Sequence, residues 1–476
     1  MPIGFRFNEK GFKLVTSGIR FWMSLKEEVD VLYDNIVSIR QHLSGIDPAG
    51  FRCPGTNFPR KVAAGTYYTS CWPLRADYWN AVGSEQLVEI VLRHSAYERL
   101  VFGVTDAARV INDLQARRRR YMETEMSYQV EVRELVIPGN SVDISVTLSR
   151  PSGQENCPVV ILVAGSGPTD RDWNSLLLPG NNGSGRLLAE VLTQHGYMVF
   201  RYDKRGIGKS TLKNSANSQT WNDQVMDLVH VVEFAKNFEG ADANKIFVMG
   251  HSEGGLTTLK MMEDNSSLGV KGIVLLATPG RSFAQITLSQ LSKQLSNILS
   301  EEALNTDLGN LERAFTQIIG KQRPLPSPES ISGVAGVQNF YKMCVSPKNI
   351  GFMEEILGFH PSKALKKCDI PILLLSGEKD LQVHPIEDTT FLYKEASQMQ
   401  KSEVTLSLVP DADHVLKHES RGYDELRPEA SLTYNSSDRW LDETALGSIL
   451  DWLKMQSALV FGNSSSAATV SRSKNY

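Results

Sequence analysis

Ile246-Phe247-Val248-Met249-Gly250-His251-Ser252-Glu253-Gly254-Gly255 is the stretch whose reading decides the fold. Its four leading apolar residues suit a short strand buried on both faces of a sheet. Gly254–Glu263 reads as the helix that follows. Gly250 to Gly254 between them fits G-x-S-x-G, which requires this context, because the serine must stand on a sharp strand-to-helix turn. The flanking glycines let strand and helix approach without Cβ clashes. A bare five-residue match carries little; this placement makes Ser252 a candidate nucleophile.

The same alternation extends outward. Gln129–Val136 and Val142–Leu148 alternate around Pro138-Gly139-Asn140 and predict an edge hairpin. Short apolar runs follow at Val159–Val163, Met198–Tyr202, Gly272–Leu276, Ile370–Leu375 and Val404–Val409. Helical segments are predicted at Arg186–His195, Trp221–Phe238, Pro385–Gln398 and Leu441–Met455. This is the pattern of an α/β fold with a mostly parallel sheet and helices on both faces. The core is expected over 126–280 and 362–456. Between them, 281–361 loses the strand rhythm, reads as helices at Ile286–Leu299 and Leu304–Ile319, and is broken by Pro324, Pro326 and Pro328. A helical lid insertion is the expectation there. Residues 457–476, rich in Ser and Ala toward the end, are expected to form a disordered tail.

Residues 1–125 read as a separate, mainly helical N-terminal module. Phe5, Phe7, Phe12 and Leu14 around Asn8-Glu9-Lys10-Gly11 suggest a small hairpin. Leu25, Val29, Leu32, Ile36, Ile39 and Leu43 recur in steps of four and three, the seam of an amphipathic helix. Further helices are predicted at Ser84–Leu100 and Thr105–Met122, the latter carrying Arg117 to Arg120 near its end. The sequence leaves the role of this module open, and a protein partner bound through residues 1–125 is one reading of it.

Composition narrows the classes. At 476 residues the chain exceeds one ordinary domain. Net charge is −4, from 50 basic and 54 acidic residues, which argues against a dedicated nucleic-acid binder. No run of about 18 apolar residues free of charge exists, so no membrane span is expected. Five scattered cysteines without a C-x-x-C pair argue against a zinc cage or disulfide scaffold. Arg6, Glu9 and Lys10 occupy the place of a secretory apolar segment, and a cytoplasmic location is expected.

A serine needs a base, and the base needs an orienting carboxylate. Of nine histidines, His414 lies in the polar loop Pro410-Asp411-Ala412-Asp413-His414 directly after an apolar run. His418, one turn further on, reads as a solvated residue. For the carboxylate, Ile370–Leu375 runs into Ser376-Gly377-Glu378-Lys379-Asp380, with Asp380 chosen and Glu378 in reserve. The oxyanion donors expected are the backbone N–H groups of Glu253 and Ser166, the latter in Ala164-Gly165-Ser166-Gly167-Pro168. Met343, Phe352 and Met353 in the insertion are candidates for lining a substrate pocket. Gly206-Ile207-Gly208-Lys209-Ser210 ends like a phosphate-binding loop, but Asp203 replaces its leading glycine. No H-E-x-x-H or EF-hand pattern occurs, so neither metal nor cofactor is expected.

Residues 129–455 resemble the α/β-hydrolase superfamily. Ala164 to Asp172, Arg201-Tyr202-Asp203-Lys204-Arg205-Gly206-Ile207-Gly208-Lys209-Ser210 and Gly250 to Gly255 resemble lid-bearing carboxylesterases of the serine-aminopeptidase-like group. The resemblance implies a serine esterase acting through Ser252, His414 and Asp380. The family's usual His-Gly before the oxyanion donor is Ala164-Gly165 here, a departure of small weight because the donor is backbone. The same residues would serve a peptidase or amidase, a thioesterase or an acyltransferase. A scaffold whose N-terminal module binds a partner is the non-enzymatic alternative.

Overall fold

The computed structural model describes residues 3–464 except 9, 17–27, 43–47, 49–50, 59–61, 72–73, 83–84, 93–94, 126–127, 177–179, 214–218, 399–402, 428–432 and 437–438. The chain divides into two compact units, Met1–Ser127 and Tyr128–Tyr476.

The first unit is built from strands, which corrects the mainly helical expectation. β1 (Gly4–Asn8), β2 (Gly11–Val15) and β3 (Glu28–Leu32) form one antiparallel sheet. β4 (Ile36–His42), β5 (Phe51–Phe58), β6 (Val62–Cys71), β7 (Leu74–Val82), β8 (Gln86–Leu92) and β9 (Arg99–Val104) form a second, in the order β4-β8-β9-β7-β6-β5. One helix, α1 (Ala107–Glu125), follows, and its Ala107 and Leu114 join residues of both sheets in a single core.

The four-and-three spacing misled for a definable reason. In β3, Val29 and Val31 are buried by strand alternation, and Leu32 is 48% exposed. A 3-10 turn at Tyr33–Asn35 then resets the phase, and a bulge between Ile36 and Ser38 shifts it again before Ile39. Two strands offset by a turn and a bulge thus imitate a helical seam; Leu25 and Leu43 lie outside the described residues. Segment 84–100 failed differently. Leu87 to Ile90 are all buried, so the period of two that marks a half-buried strand is missing.

The second unit holds a nine-stranded sheet of β10 (Val130–Ile137), β11 (Val142–Pro151), β12 (Cys157–Val163), β13 (Met198–Tyr202), β14 (Thr211–Leu212), β15 (Ala241–His251), β16 (Val270–Leu276), β17 (Ile372–Gly377) and β18 (Val404–Val409). The order is β10-β11-β13-β12-β15-β16-β17-β18, with β14 pairing β11; the β10-β11-β13 and β11-β14 pairings are antiparallel and the others parallel. Strand alternation sends Val159, Ile161 and Val163 of β12 into one core and Val160 and Leu162 into the other. The first core takes α3 (Trp221–Lys236) and α4 (Glu253–Asp264); the second takes α2 (Ser184–Gln194) and α12 (Glu443–Ser464). Helix α12 continues to Ser464, so the tail expected from 457 is helical over its first eight positions, and 465–476 lie outside the described residues.

Between β16 and β17 the insertion is helical: α5 (Phe283–Leu295), α6 (Glu301–Ile319), α7 (Pro328–Ile331), α8 (Ala335–Cys344), α9 (Ile350–Ile356) and α10 (Pro361–Leu365); α11 (Phe391–Ser397) lies between β17 and β18. Leu311, Phe315, Tyr341 and Ile356 are buried in the same cluster as α3, and Phe359 meets Trp221 edge-on at 4.8 Å. Among the described residues no helix is long and apolar enough to cross a membrane.

Candidate active site

The strand order reverses around β12, and in open α/β sheets ligands occupy the crevice beyond the carboxyl ends of strands at such a point. All the polar candidates lie at that edge. Val163 pairs in register with Gly250 across β12 and β15, which sets the loop after β12 beside the turn after β15.

Ser252 stands on that turn at φ 54° and ψ −119°, a strained conformation for a residue with a side chain. Its N–H donates to Leu276 O at 2.8 Å, tying the turn to β16. The glycines around it are required by contact. A Cβ on Gly254 would lie 2.5 Å from Val163 O, and one on Gly255 would collide with Thr278 Oγ1. A Cβ on Gly165 would lie 3.4 Å from Ser252 Cβ and 3.1 Å from His251 Nδ1, so the loop after β12 abuts the turn.

Loops after β17 and β18 bring Asp380 and His414 together. Glu378 N–H donates to Val409 O at 2.8 Å and Lys379 N–H to Ala412 O at 3.1 Å, zipping one loop to the other. His414 Nδ1–H donates to Asp380 Oδ2 at 2.8 Å, and both side chains are buried. That bond leaves the proton-accepting lone pair on Nε2. Asp380 Oδ1 accepts from the N–H groups of Gln382 and Val383 at 2.7 and 2.9 Å, so the carboxylate is oriented by three donors. Glu378, the reserve, is exposed. Burial works against a charged His414, but the Asp380 carboxylate and the hydrogen bond to it outweigh that and hold its pKa above the ordinary imidazole value. His418 is half-buried and bonds Asp442 instead, 2.9 Å from Nδ1 to Oδ2.

His251 is a second buried imidazole whose ring centre lies 4.9 Å from that of His414. Its Nε2–H donates to the His414 carbonyl at 2.8 Å, and its ring stacks on Trp173 at 4.8 Å. Burial, with His414 nearby, lowers its pKa to about 3, so it stays neutral.

Charged residues brace the site from behind. Asp203 accepts from Arg171 N–H at 2.9 Å, Arg171 Nη2 at 2.7 Å and Lys209 N–H at 2.8 Å. Arg171 also reaches Glu134 and Thr147, and Asp172 pairs with Arg201, so these two enter ion pairs, while Asp170 accepts from the N–H groups of Asp172 and Asn174 within its own loop. Gly206 and Gly208 turn at φ 71° and 54°, and a Cβ on Gly208 would strike the Asp203 carboxylate, which accounts for the glycine-rich look of that loop. Lys204, which no motif reading singled out, is buried; its Nζ donates to Gly165 O at 2.6 Å and lies 3.6 Å from Glu253 Oε1. The available signal was a lysine between two charged residues, two positions beyond the end of the short strand Met198–Tyr202, all of whose residues are buried.

The insertion is fastened to the carboxylate's loop. Asp388, fully buried, accepts from the N–H groups of Gly280 and Arg281 and from the Arg281 guanidinium at 3.1 and 2.7 Å; Gln290 Nε2 donates to Gln382 O at 3.2 Å. Of the three pocket candidates, Met353 is buried in the core cluster, Phe352 packs against it, and Met343 is 47% exposed. Among the described residues no group of three or more metal-ligating side chains occurs.

Sheet order, strained serine turn and loop placement define an α/β-hydrolase. Residues 182–421 match the family described as serine aminopeptidase, S33, and the chain belongs to that family of serine hydrolases. It is 25% identical over 296 residues to esterase EstD of Thermotoga maritima, spanning 62% of each chain. It is 27% identical over 230 residues to the proline iminopeptidase of Lactobacillus delbrueckii subsp. lactis, covering 43% of this chain and 74% of that one. Among solved structures, Est1E from Butyrivibrio proteoclasticus with bound ferulic acid is 16% identical at TM-score 0.38, over 63% of this chain and 97% of that chain. A putative lipase from Acinetobacter baumannii is 14% identical at TM-score 0.40, over 72% and 97%.

Proposed function

We propose that the protein hydrolyses carboxylic esters through an acyl-enzyme on Ser252, with His414 as base and Asp380 as its orienting carboxylate. The observation that carries this reading is the buried Asp380–His414 hydrogen bond, delivered by adjacent strands to the sheet edge where Ser252 stands on its strained turn. In the reaction, His414 Nε2 takes the Ser252 proton as Oγ attacks the acyl carbon. Asp380 keeps Nδ1 protonated and stabilises the imidazolium. The N–H groups of Ser166 and Glu253 receive the oxyanion, each worth about 2.7–4 kcal/mol in the transition state. His414 then protonates the departing alcohol, and water cleaves the acyl-enzyme by the same route.

The helical insertion acts in this proposal as a lid over the acyl group. Met343 is the pocket candidate with surface to offer, while Met353 and Phe352 hold the lid to the core. The relative named an esterase favours esters; the family match and the iminopeptidase relative favour amide cleavage as the second reading. Cys157, Cys344 and Cys368, buried and in no disulfide, favour a reducing, cytoplasmic setting.

A p-nitrophenyl ester series of rising acyl length, run beside N-terminal proline and alanine p-nitroanilides, separates the two readings. Ester turnover abolished by Ser252→Ala is expected. Anilide turnover with inert esters would replace esterase by aminopeptidase.

A further inference from the structure

Lys204 is the unexplained charge of the site. Its side chain is buried, and transferring an ammonium out of water costs several kcal/mol even after relaxation. An apolar side chain of the same length would occupy the space without that cost, so the ammonium's contacts must account for it. Among the described residues there are two, and each falls on a segment that flanks Ser252.

The first is the Gly165 carbonyl, 2.6 Å from Nζ. A trans peptide is planar, with C=O and N–H pointing in opposite directions. Drawing the Gly165 carbonyl toward Lys204 therefore turns the Ser166 N–H of the same peptide away from it. Gly165 has no side chain to anchor this loop, yet lies in close contact with Ser252 and His251, so the loop has to be held from its far side. A second tie, Thr169 Oγ1 to Ser166 O at 2.6 Å, fixes the next peptide. The other contact is Glu253 Oε1 at 3.6 Å, the carboxylate of the residue whose own N–H is the second donor. Glu253 is buried as well, so the pair is mutually dependent.

We infer that Lys204 is a positioning residue for the oxyanion hole, its ammonium holding both peptide segments whose N–H groups receive the developing oxyanion. This rests on the serine-hydrolase mechanism proposed above. Lys204 touches the carbonyl side of the Gly165–Ser166 peptide and acts on the reaction through it. Its bond to that carbonyl also polarises the amide and strengthens the N–H as a donor. Because oxyanion contacts form only in the transition state, losing their alignment lowers kcat and leaves KM nearly unchanged.

The test compares the full-length wild type with Lys204→Met, Lys204→Gln and Ser252→Ala. The readouts are kcat and KM on p-nitrophenyl acetate and the inhibition constant of phenylboronic acid, whose serine adduct mimics the tetrahedral intermediate. Lys204→Met is expected to lower kcat by roughly 10²-fold, the scale of a lost oxyanion donor. The boronic acid should weaken by a similar factor, and KM should move less than threefold. Lys204→Gln, which keeps a shorter neutral donor, should fall between Lys204→Met and wild type. If Lys204→Met fails to fold by its thermal midpoint, Lys204→Gln alone decides. Wild-type kcat and boronate affinity in a folded Lys204 variant, or a loss confined to KM, overturns the assignment. Turnover surviving in Ser252→Ala contradicts the serine mechanism itself, whereas an inactive Ser252→Ala beside an unimpaired Lys204→Met contradicts the Lys204 inference alone.

Discussion

Ser252 is flanked by two buried regions that treat charge in opposite ways. On the side of the loop after β12, Lys204 faces Glu253 and Arg171 faces Asp203, and the imidazole there, His251, is kept neutral with a pKa of about 3. On the side of the loops after β17 and β18, His414 is as deeply buried, but Asp380 lies against it and its pKa stands above the ordinary value. The two rings are 4.9 Å apart. Burial alone therefore does not set the ionisation of either histidine; the carboxylate against Nδ1 does. In the mechanism proposed above, one region holds backbone still and the other accepts and returns a proton.

The comparison breaks most visibly if Asp380 loses its charge. Asp380→Asn should cut kcat by about 10⁴-fold through loss of the tautomer and of imidazolium stabilisation. The acid limb of kcat/KM requires neutral His414, so it should lie above pH 6.5 in wild type and move to lower pH in the variant; an unmoved limb would detach Asp380 from the titration.

Next in size, Asp388→Ala strips a fully buried carboxylate from Arg281 and two backbone N–H groups at the base of the insertion. Breaking such a pair should cost about 3–5 kcal/mol in urea unfolding. Glu190→Ala, at the exposed Arg186–Glu190 pair, should cost at most about 0.5 kcal/mol. Equal losses would erase the distinction between buried and surface clamps.

A smaller effect is expected from His251→Phe, which keeps a ring against Trp173 and deletes the donor to the His414 carbonyl. An unsatisfied buried carbonyl costs about 1–3 kcal/mol, and kcat should fall about tenfold as His414 loosens. The pH limb should stay where it was, because His251 does not titrate near it.

Smallest is His418→Gln. Asp442 raises the His418 pKa, so the pair stabilises the fold fully below the unfolded value near 6.5 and progressively less as pH rises through the raised folded value. The stability gap between wild type and variant should thus be wider at pH 5.5 than at pH 9, as thermal midpoints at the two pH values will report.

What the sequence allowed to be read follows the same physics. Strands Met198–Tyr202 and Val404–Val409 coincide with their apolar runs because both are short and bounded by polar loops. Ser252, Asp380 and His414 could be put forward as candidates because each follows such a strand. Lys204 could not, since a charge after a strand ordinarily reads as a solvated loop and its burial depends on the folding of three separate segments. Met353 could not be assigned between core and pocket, because an apolar residue in a helical insertion serves either. In the N-terminal unit the turn at Tyr33–Asn35 and the bulge after Ile36 produced a false helical period from two real strands.

The most direct test of the central claim is mass-spectrometric mapping of a fluorophosphonate adduct on the full-length protein. The account predicts a single adduct on Ser252, absent in Ser252→Ala and formed far more slowly in His414→Ala. An adduct on another residue, or none on a folded and intact chain, would contradict it.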